Sequence, residues 1–106
     1  MNMLWKEKAW LDYLYWQTQD KKTLKRINNL LKDIDRNGYN CIGKPEPLRG
    51  ELSGWWSVRI DDKNRLIFKI ENEIVEVYRC GEHYGDKLKK TFDNASEVFC
   101  ATVYFF

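Results

Sequence analysis

Glu46, Arg65 and His83 put a carboxylate, a guanidinium and an imidazole on one short chain, and the phenol of Tyr84 follows the histidine directly. Metal-free cleavage of RNA needs a base to take the proton from a ribose 2′-hydroxyl. It also needs an acid to protonate the departing 5′-oxygen and a cation to offset charge gathering on phosphorus. Glu46, His83 and Arg65 supply one of each. Lys44, Arg49 and Arg59 add phosphate ligands, and the Tyr84 ring offers a splayed base a stacking surface worth about 1–3 kcal/mol in single-strand binders. Plainer roles stay open on residue types alone. Glu46 also reads as a turn residue, His83 as a solvated side chain near a chain end, and alternating arginines as the wet face of a strand.

The elements around these residues are legible from their periodicity. Glu46 lies in Gly43-Lys44-Pro45-Glu46-Pro47-Leu48, where two prolines restrict the backbone on both sides of the carboxylate. Trp56, Val58 and Ile60 alternate with Ser57 and Arg59, Asp61-Asp62-Lys63-Asn64 is turn chemistry, and Arg65 to Ile70 alternates again. A second turn at Glu71-Asn72-Glu73 leads into Ile74 to Cys80, which predicts three strands in an antiparallel meander. If Trp56, Val58, Ile60, Leu66, Phe68 and Ile70 pack under helices, Arg59, Arg65 and Lys69 share the opposite face. Arg79 is a candidate to join them, although Ile74 to Val77 is nearly all apolar and leaves the phase of the third strand open.

Upstream, Met1 to Trp5 is compatible with a strand, and Lys6 to Gln19 reads as an amphipathic helix. Asp20 is an N-cap candidate for a second helix carrying Leu24, Ile27, Leu30, Leu31 and Ile34 on one face and ending near Asn37-Gly38. The expected order is β-α-α-β-β-β. The expected class is α+β, a small antiparallel sheet with two N-terminal helices packed on one face.

Composition narrows the function classes. At 106 residues, with 32% charged and 43% hydrophobic side chains, the chain reads as one globular domain rather than a disordered or fibrous one. No apolar stretch approaches the roughly 20 residues of a membrane span, and no signal peptide is visible, so the expected location is cytoplasmic. One histidine and the scattered Cys41, Cys80 and Cys100 offer no zinc-ligand spacing, so packed, reduced thiols and no metal are expected. The net charge is only +2, so any nucleic-acid contact must come from local placement of basic residues.

Several motifs together resemble a known family. Leu4-Trp5, Trp10-Leu11-Asp12-Tyr13-Leu14-Tyr15-Trp16, Ile27 to Asp33, Gly43-Lys44-Pro45-Glu46-Pro47-Leu48, Leu52-Ser53-Gly54-Trp55-Trp56-Ser57-Val58-Arg59-Ile60 and His83-Tyr84 run in the order seen in the Txe/YoeB family. That family belongs to the RelE/ParE superfamily of type II toxin–antitoxin systems. The resemblance covers Met1 to about Lys87. It implies a RelE-like fold and a ribosome-dependent mRNA interferase that cuts mRNA in the ribosomal A site and leaves a 2′,3′-cyclic phosphate. It implies Glu46 as general base, Arg65 as transition-state arginine, His83 as acid and Tyr84 as stacking or positioning residue. Arg59, Lys44 and Arg49 are then RNA-binding, with Arg49 standing where the family often has a lysine. The implied partners are mRNA on the ribosome, a YefM-like antitoxin and a second copy in a homodimer, and no cofactor is implied.

The expected division is a toxin domain over 1–87 and an atypical extension over 88–106, within which Leu88 to Asn94 is helix-like and Ser96 to Phe106 strand-like. The extension raises the alternative of a catalytically impaired, antitoxin-binding regulator. Another alternative is a ParE-like, gyrase-poisoning toxin, against which the Glu, Arg and His set argues.

Overall fold

Asn2–Lys6 forms β1 and alternates Met3 and Trp5 into the interior. The computed structural model describes residues 1–82 and 100–103. The chain passes from β1 straight into α1, Glu7–Gln19, and through the single residue Asp20 into α2, Lys21–Asn37. Asp20 serves as the cap of α2: its carboxylate accepts from the Lys22 and Thr23 N–H groups at 3.1 and 3.2 Å and from the Thr23 hydroxyl at 2.8 Å. Ile27, Leu30, Leu31 and Ile34 are fully buried at helical spacing, and Gly38 ends the helix at φ +59°.

The remaining strands are β2 (Glu46–Pro47), β3 (Trp56–Arg59), β4 (Asn64–Glu71), β5 (Ile74–Glu82) and β6 (Cys100–Val103). Among the described residues they form a six-stranded sheet in the order β2-β3-β4-β5-β1-β6. The meander β3-β4-β5 is antiparallel as expected, whereas β1 pairs parallel to β5 from Asn2 opposite Ile74 to Trp5 opposite Val77. The α+β class and the two-helix cover stand, but the sheet is mixed rather than wholly antiparallel. The helical hairpin carries the chain over one sheet face before it re-enters at the far edge, and that long connection permits the parallel pairing. The strand-like reading of the tail is met by β6, which pairs antiparallel to β1. The expected helix at Leu88 to Asn94 lies outside the described residues.

The core lies between the helices and one sheet face. Ala9, Tyr13, Ile27, Leu30, Leu31 and Ile34 meet Met3, Trp5, Val58, Ile60, Leu66, Phe68, Val75, Val77 and Cys80. A β-bulge explains the open phase of the third strand. Phe68 stands opposite Val77 and Ile67 opposite Arg79, so Tyr78 is an extra residue on β5. Val77 and Cys80, three apart, therefore both reach the core, and Arg79 shares the outer face with Ile67.

Side chains complete the sheet where strands run out. Past Trp5, β5 has lost β1, and α1 takes its place: Asp12 accepts the Cys80 N–H at 3.0 Å, and the Trp16 indole donates to the Cys80 carbonyl at 2.7 Å. At the other end of the meander the Tyr39 hydroxyl accepts from the Ile70 N–H at 2.8 Å. Each pairing removes a buried or half-buried unsatisfied backbone group.

Candidate active site on the outer sheet face

The site begins with a loop that has little freedom. Asp33 on α2 accepts the Ile42 N–H at 2.6 Å, and the Gly43 carbonyl accepts the Arg59 N–H at 2.8 Å. Gly43 has φ +91°, and a Cβ there would meet Leu30 Cδ2 at 3.1 Å and Val58 Cβ at 3.2 Å. Only glycine fits both the backbone conformation and the gap. Lys44 continues in the left-handed region at φ +55°, a strained state for a non-glycine residue. Two residues later Glu46 enters the sheet opposite Ser57.

That register decides which residues meet. Glu46, Ser57, Ile67 and Arg79 form one cross-strand row on the face away from the helices, with Arg59 opposite Arg65 in the next row. Arg65 Nη1 donates to Glu46 Oε1 at 3.4 Å and to Ser57 Oγ at 3.3 Å. The Glu46 and Arg65 side chains remain 61% and 42% exposed, so a substrate can reach both. Ser57, almost fully buried, fixes the arginine from below. Arg59 Nη2 rests 3.5 Å from Asp62, itself almost fully exposed. Lys44 and Arg49 are exposed and make no ion pair among the described residues. A carboxylate and two arginines thus gather at one accessible face, an arrangement able to remove a proton beside a bound phosphate.

Two basic residues of the expected outer face are otherwise engaged. Arg79 donates to Asp12 through Nε at 2.8 Å and Nη2 at 3.1 Å, which draws its guanidinium toward α1. Lys69 Nζ lies 3.8 and 3.9 Å from Glu71 and Glu76 and 4.7 Å from the Trp55 ring centroid. His83 and Tyr84 lie outside the described residues. Sequence reasoning gave Ser57 no role; its signal is its phase, two residues from Arg59 and directly opposite Glu46 once the register is known. Burial pushes the Cys80 thiol well above its ordinary 9.0, with Asp12 adding to the shift, and burial also raises Cys41. Neither thiol is suited to act as a nucleophile.

Comparison with known proteins decides the family. Residues 5–84 match the model of the YoeB-like toxins of bacterial type II toxin–antitoxin systems. The chain belongs to that family.

Among YoeB relatives, toxin YoeB of Escherichia coli K12 is 44% identical over 84 residues, covering 79% of this chain and 100% of the relative. A YoeB–YefM complex from Staphylococcus aureus superposes with a TM-score of 0.74 at 41% identity, covering 79% of this chain and 98% of that one. A YoeB dimer from the same organism gives a TM-score of 0.74 at 42% identity with the same coverage. The matched residues 5–84 therefore hold the end of β1, the two helices and β2 to β5, and β6 falls beyond them. Among the described residues of this YoeB-like toxin no helix is long and apolar enough to cross a membrane.

Proposed function

We propose that this YoeB-like toxin is a ribosome-dependent mRNA endonuclease that stops translation by cutting mRNA in the A site. The observation that carries the reading is the exposed Glu46–Arg65 pair braced by Ser57. Glu46 takes the proton from a ribose 2′-hydroxyl. The 2′-oxygen forms a bond to phosphorus as the bond from phosphorus to the 5′-oxygen breaks, leaving a 2′,3′-cyclic phosphate on one fragment. His83 gives its proton to the departing 5′-oxygen, and Tyr84 positions the neighbouring base. Arg65 lies where negative charge builds on the phosphoryl oxygens, and Arg59, Lys44 and Arg49 hold the flanking backbone. The nucleophile belongs to the RNA itself, so the reaction requires no cofactor. The ribosome supplies the alignment that a protein of net charge +2 does not provide alone.

A YefM-like antitoxin is the proposed inhibitor and a second copy the proposed dimer partner, supported by the similarity to the S. aureus complex and dimer. The toxin domain is proposed to span 1–87, with 88–106 an extension of it, in the cytoplasm. Translation reactions programmed with a defined mRNA test the reading. Primer extension is expected to show A-site cuts with the wild type and none with Glu46→Ala or His83→Ala. Absence of cuts by the wild type overturns the nuclease reading and favours a binding toxin.

A further inference from the structure

The outer sheet face carries aromatic side chains that the proposed chemistry does not use. Trp55 immediately precedes β3, and its carbonyl accepts the Leu48 N–H at 2.9 Å, one step along the ladder that aligns Glu46 with Ser57. Tyr78, the bulged residue of β5, reaches across β4 so that its ring centroid lies 4.9 Å from that of Trp55, tilted by 46°. Lys69 places its ammonium 4.7 Å from the Trp55 centroid. Both rings remain partly exposed.

Alternation orders these groups along a line. Trp55, Ser57 and Arg59 project from one face at steps of about 6.6 Å, twice the rise of a strand residue. The middle step carries the Glu46–Arg65 pair, and one end step carries an arginine suited to phosphate. The other end carries two aromatic rings, a surface that binds a nucleobase by stacking, with the Lys69 ammonium held over the Trp55 ring between Glu71 and Glu76. Packing over the outer face, where Ile67 is only 2% exposed, accounts for an aromatic ring there but not for two partly exposed rings in contact, one of them two residues along the chain from Ser57, which stands opposite Glu46.

We infer that Trp55 and Tyr78 form a stacking subsite for a nucleobase flanking the scissile phosphate, distinct from the base that Tyr84 positions, so that the RNA runs along β3 from the aromatic pair past Glu46 toward Arg59. This rests on the nuclease reading above. The subsite selects for the base at a single mRNA position and acts through substrate binding rather than through proton transfer.

Two measurements on the full chain test it. In ribosome-programmed cleavage, Trp55→Leu is expected to lower kcat/KM by about 10- to 100-fold, chiefly through KM, the range that loss of one stacked base gives. It flattens base preference at one flanking position, and Trp55→Phe restores most of both. Because Trp55→Leu can also disturb folding, the second measurement uses the wild type. Bound mRNAs carry a 2′-deoxy nucleotide at the scissile site and one 4-thiouridine at successive flanking positions. Crosslinks from one such position to Trp55 or Tyr78 support the subsite. Crosslinks only elsewhere, or a folded Trp55→Leu chain with wild-type rate and base profile, overturn it while leaving the nuclease standing. A wild type that cuts no mRNA overturns both.

Discussion

Arg65 stands 3.4 Å from Glu46 and only 3.3 Å from Ser57, so the serine, not the carboxylate, is its shorter contact. An ion pair this exposed contributes about 0–1 kcal/mol to stability. Its hold on Glu46 is therefore loose enough for an entering phosphate to compete for the guanidinium, while Ser57 keeps Arg65 in place.

Removing either member of the pair is accordingly expected to affect chemistry more than folding. Glu46→Gln should lower kcat by about 10²–10⁴-fold, the usual range for a general base. Arg65→Ala should cost about 10²–10³-fold, with Arg65→Lys between it and the wild type because charge survives while the planar fork does not. Cleavage kinetics beside thermal melts check this; a large drop in melting temperature for Glu46→Gln would contradict it.

Gly43→Ala probes the loop that delivers Glu46. The new methyl must push against Leu30 and Val58 at a φ of +91°, so a loss of about 1–3 kcal/mol is expected. Because Glu46 enters the sheet three residues later, a shift near 1 Å there should also cut kcat by about 10²-fold. Denaturant unfolding and cleavage assays on the one variant read both effects, and a variant that keeps full activity would show that the loop does not set the carboxylate.

The Asp12–Arg79 pair is 17% and 16% exposed, and the same carboxylate also caps the Cys80 N–H. Asp12→Ala leaves a guanidinium and a backbone donor short of an acceptor, at a cost of about 2–3 kcal/mol. Arg79→Leu should cost less, because Asp12 keeps the Cys80 bond. Urea titration of the two variants orders them; equal losses would mean that the ion pair, not the strand cap, is the main contribution.

Acid should weaken the fold through two carboxylates in turns. Hydrogen bonds from the Thr23 hydroxyl and N–H hold Asp20 below its ordinary 3.8. Burial pushes Asp61 upward, but hydrogen bonds from the Asn64 side chain and from the Lys63 and Asn64 N–H groups outweigh it, and the net shift is also downward from 3.8. A depressed folded pKa contributes stability that is complete above the unfolded value and is lost as pH falls through the folded one. The melting temperature should therefore drop as pH falls below about 4, and the Asp20→Asn/Asp61→Asn chain should start lower at neutral pH and fall less. Parallel melting curves for both chains would refute this.

The thiols give a further check. With Cys41 and Cys80 buried and both raised above 9.0, neither should react with a thiol reagent at neutral pH until the chain is unfolded. Mass spectrometry of labelled native protein reads this directly, and modification at Cys80 without denaturant would mean that the contact between α1 and β5 opens.

Much of this molecule is local and so legible in the chain. The apolar spacing of α2, the cap at Asp20, the turns at Asp61–Asn64 and Glu71–Glu73, and the alternation in β3 and β4 depend on residues a few positions apart. The proline-bounded Glu46 and the outward arginines follow from the same short-range rules. Other features depend on partners far apart. Parallel pairing of β1 with β5 joins residues more than 70 positions distant. The bulge at Tyr78 exists because Val77 and Cys80 must both face a core built by helices from the other end of the chain. That bulge puts Arg79 in the row of Ile67, and Asp12, projecting from α1 at the strand's unpaired edge, then draws its charge away from the site. Ser57 gained a role only when β2 settled opposite β3. Periodicity states which residues share a face, but which strands lie side by side, and in what register, is decided by burial over the whole chain.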